Sequence, residues 1–114
     1  MSKRSPALLI EDILEAIAKI REYTANFDRN RFVSSCMAAD AVIRNLEIIG
    51  EAANRLPESF TSQPSEIEWR KIIGLRHRIV HDYFGVDLDI IWTIVRQDIP
   101  VFEAQIRAAN FQQS

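Results

Sequence analysis

Apolar residues recur along this chain at steps of three and four, the spacing that lines one face of an α-helix. Ile10, Ile13, Leu14, Ile17 and Ile20 form the first such stripe. Ser5 followed by Pro6 suits its opening: a hydroxyl can cap the first turn, and proline tolerates a helix's first position, where its missing N–H is no loss. The stripe predicts a first helix ending near Thr24 to Asp28. A second runs from Asp28 or Asn30 to about Leu56, with Phe32, Cys36, Met37, Val42, Ile43, Leu46, Ile49, Ala53 and Leu56 as its apolar positions. Gly50 inside it costs about 1 kcal/mol relative to alanine, which points to close packing there. Pro57 stops the helix, and Glu58 to Pro64 is a polar connection with room for one short turn.

Ser65-Glu66-Ile67-Glu68 fits a capping box, the glutamate standing three residues after the serine. A third helix then carries Trp69, Ile72, Ile73, Leu75, Ile79 and Val80, with Gly85 as a left-handed terminator. Asp87 caps a fourth, bearing Ile91, Ile94, Val95, Ile99, Phe102 and Ile106. Pro100 falls inside that pattern and should kink or split the helix, because it removes a backbone donor and crowds the preceding turn. The tail, 110–114, should fray. No repeat, low-complexity linker or strand-like alternation interrupts this series. The prediction is an all-α fold, an antiparallel bundle of four long helices forming one domain over residues 1–114.

Composition adds limits. A chain of 114 residues holds one domain, and one this small buries only about two-thirds of its unfolded surface, so a dimer would help it. The formal charge of −2 argues against holding long nucleic acids by counterion release, so any RNA contact should be local. Cys36, the sole cysteine, excludes an intramolecular disulfide, suits a reducing cytosol and reads as a small buried hydrophobe. No apolar run reaches the roughly 18 residues of a membrane span. Glu11, Asp12 and Glu15 interrupt the stretch after Lys3 and Arg4, so no signal peptide is expected and the protein should be soluble and cytoplasmic.

The chemistry is concentrated in one place. Both histidines of the chain, His77 and His81, lie beside Arg76, Arg78, Asp82 and Tyr83. Histidine exchanges a proton near neutral pH, and arginine offers a planar, permanently charged fork for a phosphate. RNA cleavage without a metal needs little more: a base for the 2′-hydroxyl proton, a cation for the pentavalent phosphate, and an acid for the leaving 5′-oxygen. His77 and His81, four apart, could share a metal, but no cysteine is near to complete a site, and no cofactor or metal is called for. Arg78 can pair with Asp82 four residues on, and Tyr83 could simply be a packed helix-end aromatic. Glu47 and Glu51 share one face of the second helix, either solvent-facing or flanking a cleft. Trp69 and Trp92 read as core or interface anchors.

The run Arg76-x4-His81-x-Tyr83, with the polar His77 directly after the arginine, resembles the motif of HEPN-domain ribonucleases of the HepT type. The stretch Ala41-Val42-Ile43-Arg44-Asn45-Leu46-Glu47-Ile48-Ile49-Gly50-Glu51-Ala52 is similar to that family's second helix. Val86-Asp87-Leu88-Asp89-Ile90-Ile91-Trp92 is similar to the opening of its last long helix, with Pro100 in keeping. The resemblance implies a HEPN-type bundle and a homodimeric toxin that cuts RNA without metal, its paired motifs lining a cleft between subunits. It further implies a minimal nucleotidyltransferase antitoxin, MntA-like, which transfers AMP from ATP to the motif tyrosine, here Tyr83. Arg76, His81 and Tyr83 are the matching positions, with His77 in support.

Helix geometry agrees with a shared site. Arg76 and His81, five residues apart, lie about 140° apart around a regular helix, so one helix does not readily aim both at one phosphate. Two copies across a two-fold axis would bring four such groups together. His81 is then the proton-transfer group, Arg76 the phosphate clamp, and Tyr83 the substrate positioner and regulatory acceptor. Two other readings compete: a catalytically silent partner, docked and adenylylated by its nucleotidyltransferase, and a purely structural helical dimerisation module.

Overall fold

The computed structural model describes residues 4–80 and 87–109, with the backbone alone at Arg76 and Val80. Among the described residues the chain is all-α, without a strand, and none of its helices is long and apolar enough to cross a membrane. Helix α1 spans Pro6–Tyr23. Its opening is the expected one: the Ser5 hydroxyl accepts from the Leu8 N–H at 3.3 Å, and Arg4 grips Asp12 with two hydrogen bonds of 2.6 and 2.9 Å. Leu9, Ile13, Ala16, Ile17 and Ile20 form its buried face, while Ile10 and Leu14 pack at the margins. The helix stops at Tyr23 and the chain turns through Asn26, whose φ of 64° is left-handed, a conformation asparagine adopts more readily than most residues.

The expected second helix is two. Helix α2, Arg29–Ser34, is capped by Asp28, whose carboxylate accepts from the Arg31 N–H at 2.8 Å. Ser35 is then extended, and its hydroxyl accepts from the Ala38 N–H at 3.2 Å to start α3, Cys36–Arg55. Serine side chains compete for backbone hydrogen bonds, which makes them better at helix ends than inside. Ser34 and Ser35 both do so, Ser34 donating to the Asn30 carbonyl at 2.7 Å. The break lets α2 turn Phe32, 0% exposed, onto Trp92. It also leaves Cys36 and Met37 in the exposed first turn of α3, so neither is the core residue the apolar pattern suggests. Further along, Val42, Leu46, Ile49, Gly50 and Ala53 are buried, and α3 packs most extensively against α1.

Helix α4, Glu58–Thr61, is the anticipated short turn and buries Phe60. No capping box forms at Ser65: its hydroxyl accepts from the Ile67 N–H at 3.3 Å, and α5, Trp69–Ile73, begins after Glu68 without a side-chain cap. Ile67 is buried, so its packing holds this segment out of the helix. Helix α6, Leu75–Val80, follows across Gly74. A Cβ at Gly74 would lie 3.1 Å from the Arg70 carbonyl oxygen, a tighter approach than side-chain-bearing residues ordinarily make. The expected terminator Gly85 lies outside the described residues.

Asp87 caps α7, Leu88–Thr93, as expected, accepting from the N–H groups of Asp89 and Ile90 at 3.0 and 3.4 Å. Pro100 splits the last helix in an identifiable way. A widened, π-helical turn over Ile94–Asp98 precedes α8, Ile99–Ala108, so the missing proline N–H falls where the regular ladder has already been interrupted.

Helix α8 is tied to α1 by a buried carboxylate. Glu103 accepts from Arg21 of α1, and from Arg107 one turn on, at 3.1 Å. The Arg21 guanidinium holds the Glu103 carboxyl below its ordinary range; burial opposes this and Arg107 adds to it. Because the folded value lies below the unfolded one, this stabilisation is complete above the ordinary carboxylate range and is lost as pH falls below that range and through the lowered folded value. Both arginines are more than half exposed, so the cluster stabilises the fold by only about 1 kcal/mol. Glu103→Gln should therefore lower the melting temperature at pH 7 by about 4 °C. It should also converge with the wild type on acidification, as thermal unfolding followed across pH will show.

Candidate active site

Helix α6 carries the first half of the arginine–histidine run. Leu75 and Ile79, one turn apart, are 1% and 4% exposed and seat it on the core. At 100° per residue, position 77 then falls opposite the buried stripe and positions 76 and 78 on its two flanks. His77 and Arg78 are accordingly exposed. Arg76 lies within α6. His81, Asp82 and Tyr83 lie outside the described residues, and so does any pairing of Arg78 with Asp82. Arg78 instead faces Asp98, at the end of the π-helical turn: Arg78 Nη1 lies 3.8 Å from Asp98 Oδ2. Lys71 Nζ, from α5, approaches the other oxygen of the same carboxylate at 3.6 Å.

The chain beyond the run is anchored as firmly. Helix α7 is held by α2, through an ion pair between Arg29 and Asp89 and through the stack of Phe32 on Trp92, with ring centroids 5.2 Å apart. The Arg96 guanidinium covers Trp92, its carbon 5.4 Å from the ring centre. Trp69 sits edge-on to Phe102 at 5.9 Å, fixing α5 against α8. Both tryptophans thus serve as packing anchors, as their surroundings in the sequence suggest. Residues 76–83 are bracketed by two elements, each locked to the core by an aromatic contact.

The electrostatics of α5 and α6 run against the average of the chain. Arg70, Lys71, Arg76 and Arg78 fall in a stretch, 70–78, that holds no acidic residue, in a protein whose formal charge is −2. Arg70, Lys71, His77 and Arg78 are exposed. Asp98 offsets part of the charge of Lys71 and Arg78, so the positive excess is local, suited to a few phosphates rather than to a long nucleic acid.

Glu47 and Glu51 have a different setting. They line a groove of about 630 Å³ between α1 and α3, where the cations Lys19, Arg44 and Arg55 are interspersed with Asp12 and Glu15. Asn45 is buried there, donating to the Ala41 carbonyl at 2.9 Å. The described residues that line this groove belong to α1 and α3. Asp98 and Lys71 are the neighbours of the run that the sequence did not single out. Asp98 stands 20 positions from Arg78 in another element, and no local pattern links the two.

Comparison with known proteins agrees with this picture. The family described as HepT-like, Ribonuclease HepT-like, matches residues 13–109. A Thermococcus cleftensis protein named "Probable ribonuclease HepT" is 43% identical over 98 residues, covering 86% of this chain and 89% of its own. "Putative RNase MJ1380" of Methanocaldococcus jannaschii is 38% identical over 106 residues, covering 93% of this chain and 97% of its own. "Putative RNase TTE0752" of Caldanaerobacter subterraneus is 35% identical over 104 residues, covering 91% of this chain and 93% of its own. No solved structure matches the chain.

Proposed function

This chain belongs to the HepT-like ribonuclease family, and from that premise we propose that it is the metal-independent endoribonuclease toxin of a toxin–antitoxin pair. The fold is all-α and HEPN-like, and the chain is an RNA-cleaving enzyme. The observation that carries the finer reading is the acid-free cationic stretch 70–78, which leads directly into His81 and Tyr83 and contains the chain's other histidine. In the proposed reaction His81 takes the 2′-hydroxyl proton and the 2′-oxygen attacks phosphorus. Arg76 stabilises the pentavalent phosphate, and the bond to the 5′-oxygen breaks as a second acid protonates it. The products are a cyclic phosphate and a free 5′-hydroxyl. On a regular helix, positions 76 and 81 would stand about 140° apart, which favours a composite site to which each subunit of a homodimer contributes one pair. His77 is a supporting polar group.

Tyr83, two residues beyond His81, is the point of control. A nucleotidyltransferase antitoxin transfers AMP from ATP to its hydroxyl, releasing pyrophosphate and placing a bulky anion where the RNA phosphate must sit. The whole chain, 1–114, acts as one domain in the cytoplasm. Glu47 and Glu51, which line the groove between α1 and α3, are supporting residues that flank the cleft and orient an arginine or histidine of the site.

The test uses purified protein and single-stranded RNA in the presence of a chelator. Cleavage should persist and leave 5′-hydroxyl ends. Addition of a cognate nucleotidyltransferase and ATP should add adenylyl mass to the wild type but not to Tyr83→Phe, and should stop cleavage only by the wild type. A protein that accepts AMP but never cuts RNA, and leaves cells healthy when expressed alone, would be a silent partner and would overturn the proposal.

A further inference from the structure

We propose that Asp98 is a positioning residue for RNA cleavage: from the π-helical turn it clamps the α5–α6 junction through Lys71 and Arg78 and so sets how Arg76 is presented. The proposal rests on the ribonuclease reading of Arg76 and His81. Helix α6 is six residues long and separated from α5 by Gly74, where the Gly74 N–H still donates to the Arg70 carbonyl at 2.9 Å. Leu75 and Ile79 hold one stripe of it to the core. Two contacts on one stripe resist lifting of a short helix but resist rolling about its axis much less. Positions 76 and 78 flank that stripe on opposite sides, so a tether on one flank limits the roll that moves the other.

Asp98 is placed to be that tether. One carboxylate oxygen faces Arg78 of α6 at 3.8 Å and the other faces Lys71 of α5 at 3.6 Å, so a single side chain spans the break between the two helices. Its own side chain is 23% exposed, less than either cation. The π-helical turn accounts for its position. The widened turn ends at Asp98, two residues before Pro100, and shifts the angular phase of everything after it relative to a regular helix. Such turns recur at functional sites. Here the turn also brings Asp98 beside a cleft of about 320 Å³, lined by Lys71 and Leu75 on one side and by Gln97 and Gln105 on the other. Ion pairs of this exposure add little to global stability. Misplacing a catalytic group by about 1 Å, in contrast, can lower a rate by up to about 10²-fold.

The experiment is a double-mutant cycle on the purified full chain, read by steady-state cleavage of a fluorophore–quencher single-stranded RNA of mixed sequence. Asp98→Asn should lower kcat about 10-fold with KM and melting temperature nearly unchanged, and Asp98→Glu should restore part of the loss. In an Arg78→Ala background, Asp98→Asn should cost far less, because the contact it removes is already gone. Losses that multiply across the cycle, a change in KM instead of kcat, or an activity loss that tracks a loss of melting temperature would each overturn the role of Asp98. His81→Ala is measured in parallel. If it retains wild-type activity, the assignment of the site itself fails; if it is inactive while Asp98→Asn cleaves normally, only the clamp does.

Discussion

His81→Ala should lower the rate of RNA cleavage by about 10²- to 10⁴-fold, the usual contribution of a positioned proton-transfer group, while the protein stays folded and keeps its oligomeric state. The fold should survive because what holds this region lies on either side of the run. Leu75 and Ile79 seat α6 in the core, and the Asp87 cap with the Phe32–Trp92 stack seats α7. Arg76→Ala should cost about 10²- to 10³-fold, as removal of one donor to a developing anion does, and Arg76→Lys should recover only part of it, since an ammonium lacks the planar fork. A composite site adds a stricter expectation: mixing inactive His81→Ala with inactive Arg76→Ala protein should restore some cleavage if subunits exchange, because mixed dimers pair the surviving groups. Size-exclusion chromatography and initial-rate assays read both outcomes. Unchanged cleavage by His81→Ala would remove the proposed site.

The parts of this protein that were legible in its sequence are those set by local chemistry. Ser5-Pro6 and Asp87 act as caps because a short oxygen-bearing side chain meets the amides two or three residues ahead. Pro100 announced an interruption, and the structure supplies its form, a π-helical turn. The misreadings share a cause. At Ser35 and Ser65 the local signal admits two outcomes, and tertiary burial, of Phe32 in one case and Ile67 in the other, decides between them. The break at Ser35 in turn exposes Cys36 and Met37, which apolar periodicity alone assigns to the core. The candidate site divides in the same way. Arg76, His81 and Tyr83 are visible as a spaced motif, whereas the pairing of Arg78 with Asp98 depends on how α6 and the π-helical turn meet in space, which no periodicity encodes.

Phe32→Ala should destabilise the fold far more than Glu103→Gln or any of the changes at His81, Arg76 and Asp98. The Phe32 ring is 0% exposed and lies at 5.2 Å and 30° on Trp92. Truncating a buried phenylalanine costs about 3–5 kcal/mol in lost transfer energy and residual cavity, against a total of about 5–15 kcal/mol for a domain of this kind. Little else could compensate. Helix α2 is six residues long, too short to be stable by itself. Its ion pair to α7, between Arg29 and Asp89, is exposed at both ends and contributes little. The melting temperature should therefore fall by more than about 10 °C, whereas Arg29→Ala should lower it by only a few degrees and Phe32→Leu should lie between. The loss also bears on function, because α7 is the element that receives the chain directly after His81 and Tyr83. With α2 detached, α7 should open at a lower free energy than the α1–α3 core, as locally anchored segments do. Cleavage by Phe32→Ala, assayed well below its melting temperature, should thus fall further than the folded fraction accounts for, and amide exchange should quicken in α2 and α7 before α1 and α3. Uniform exchange across all four helices, with activity proportional to the folded fraction, would show that α7 is held by the core as a whole rather than by α2.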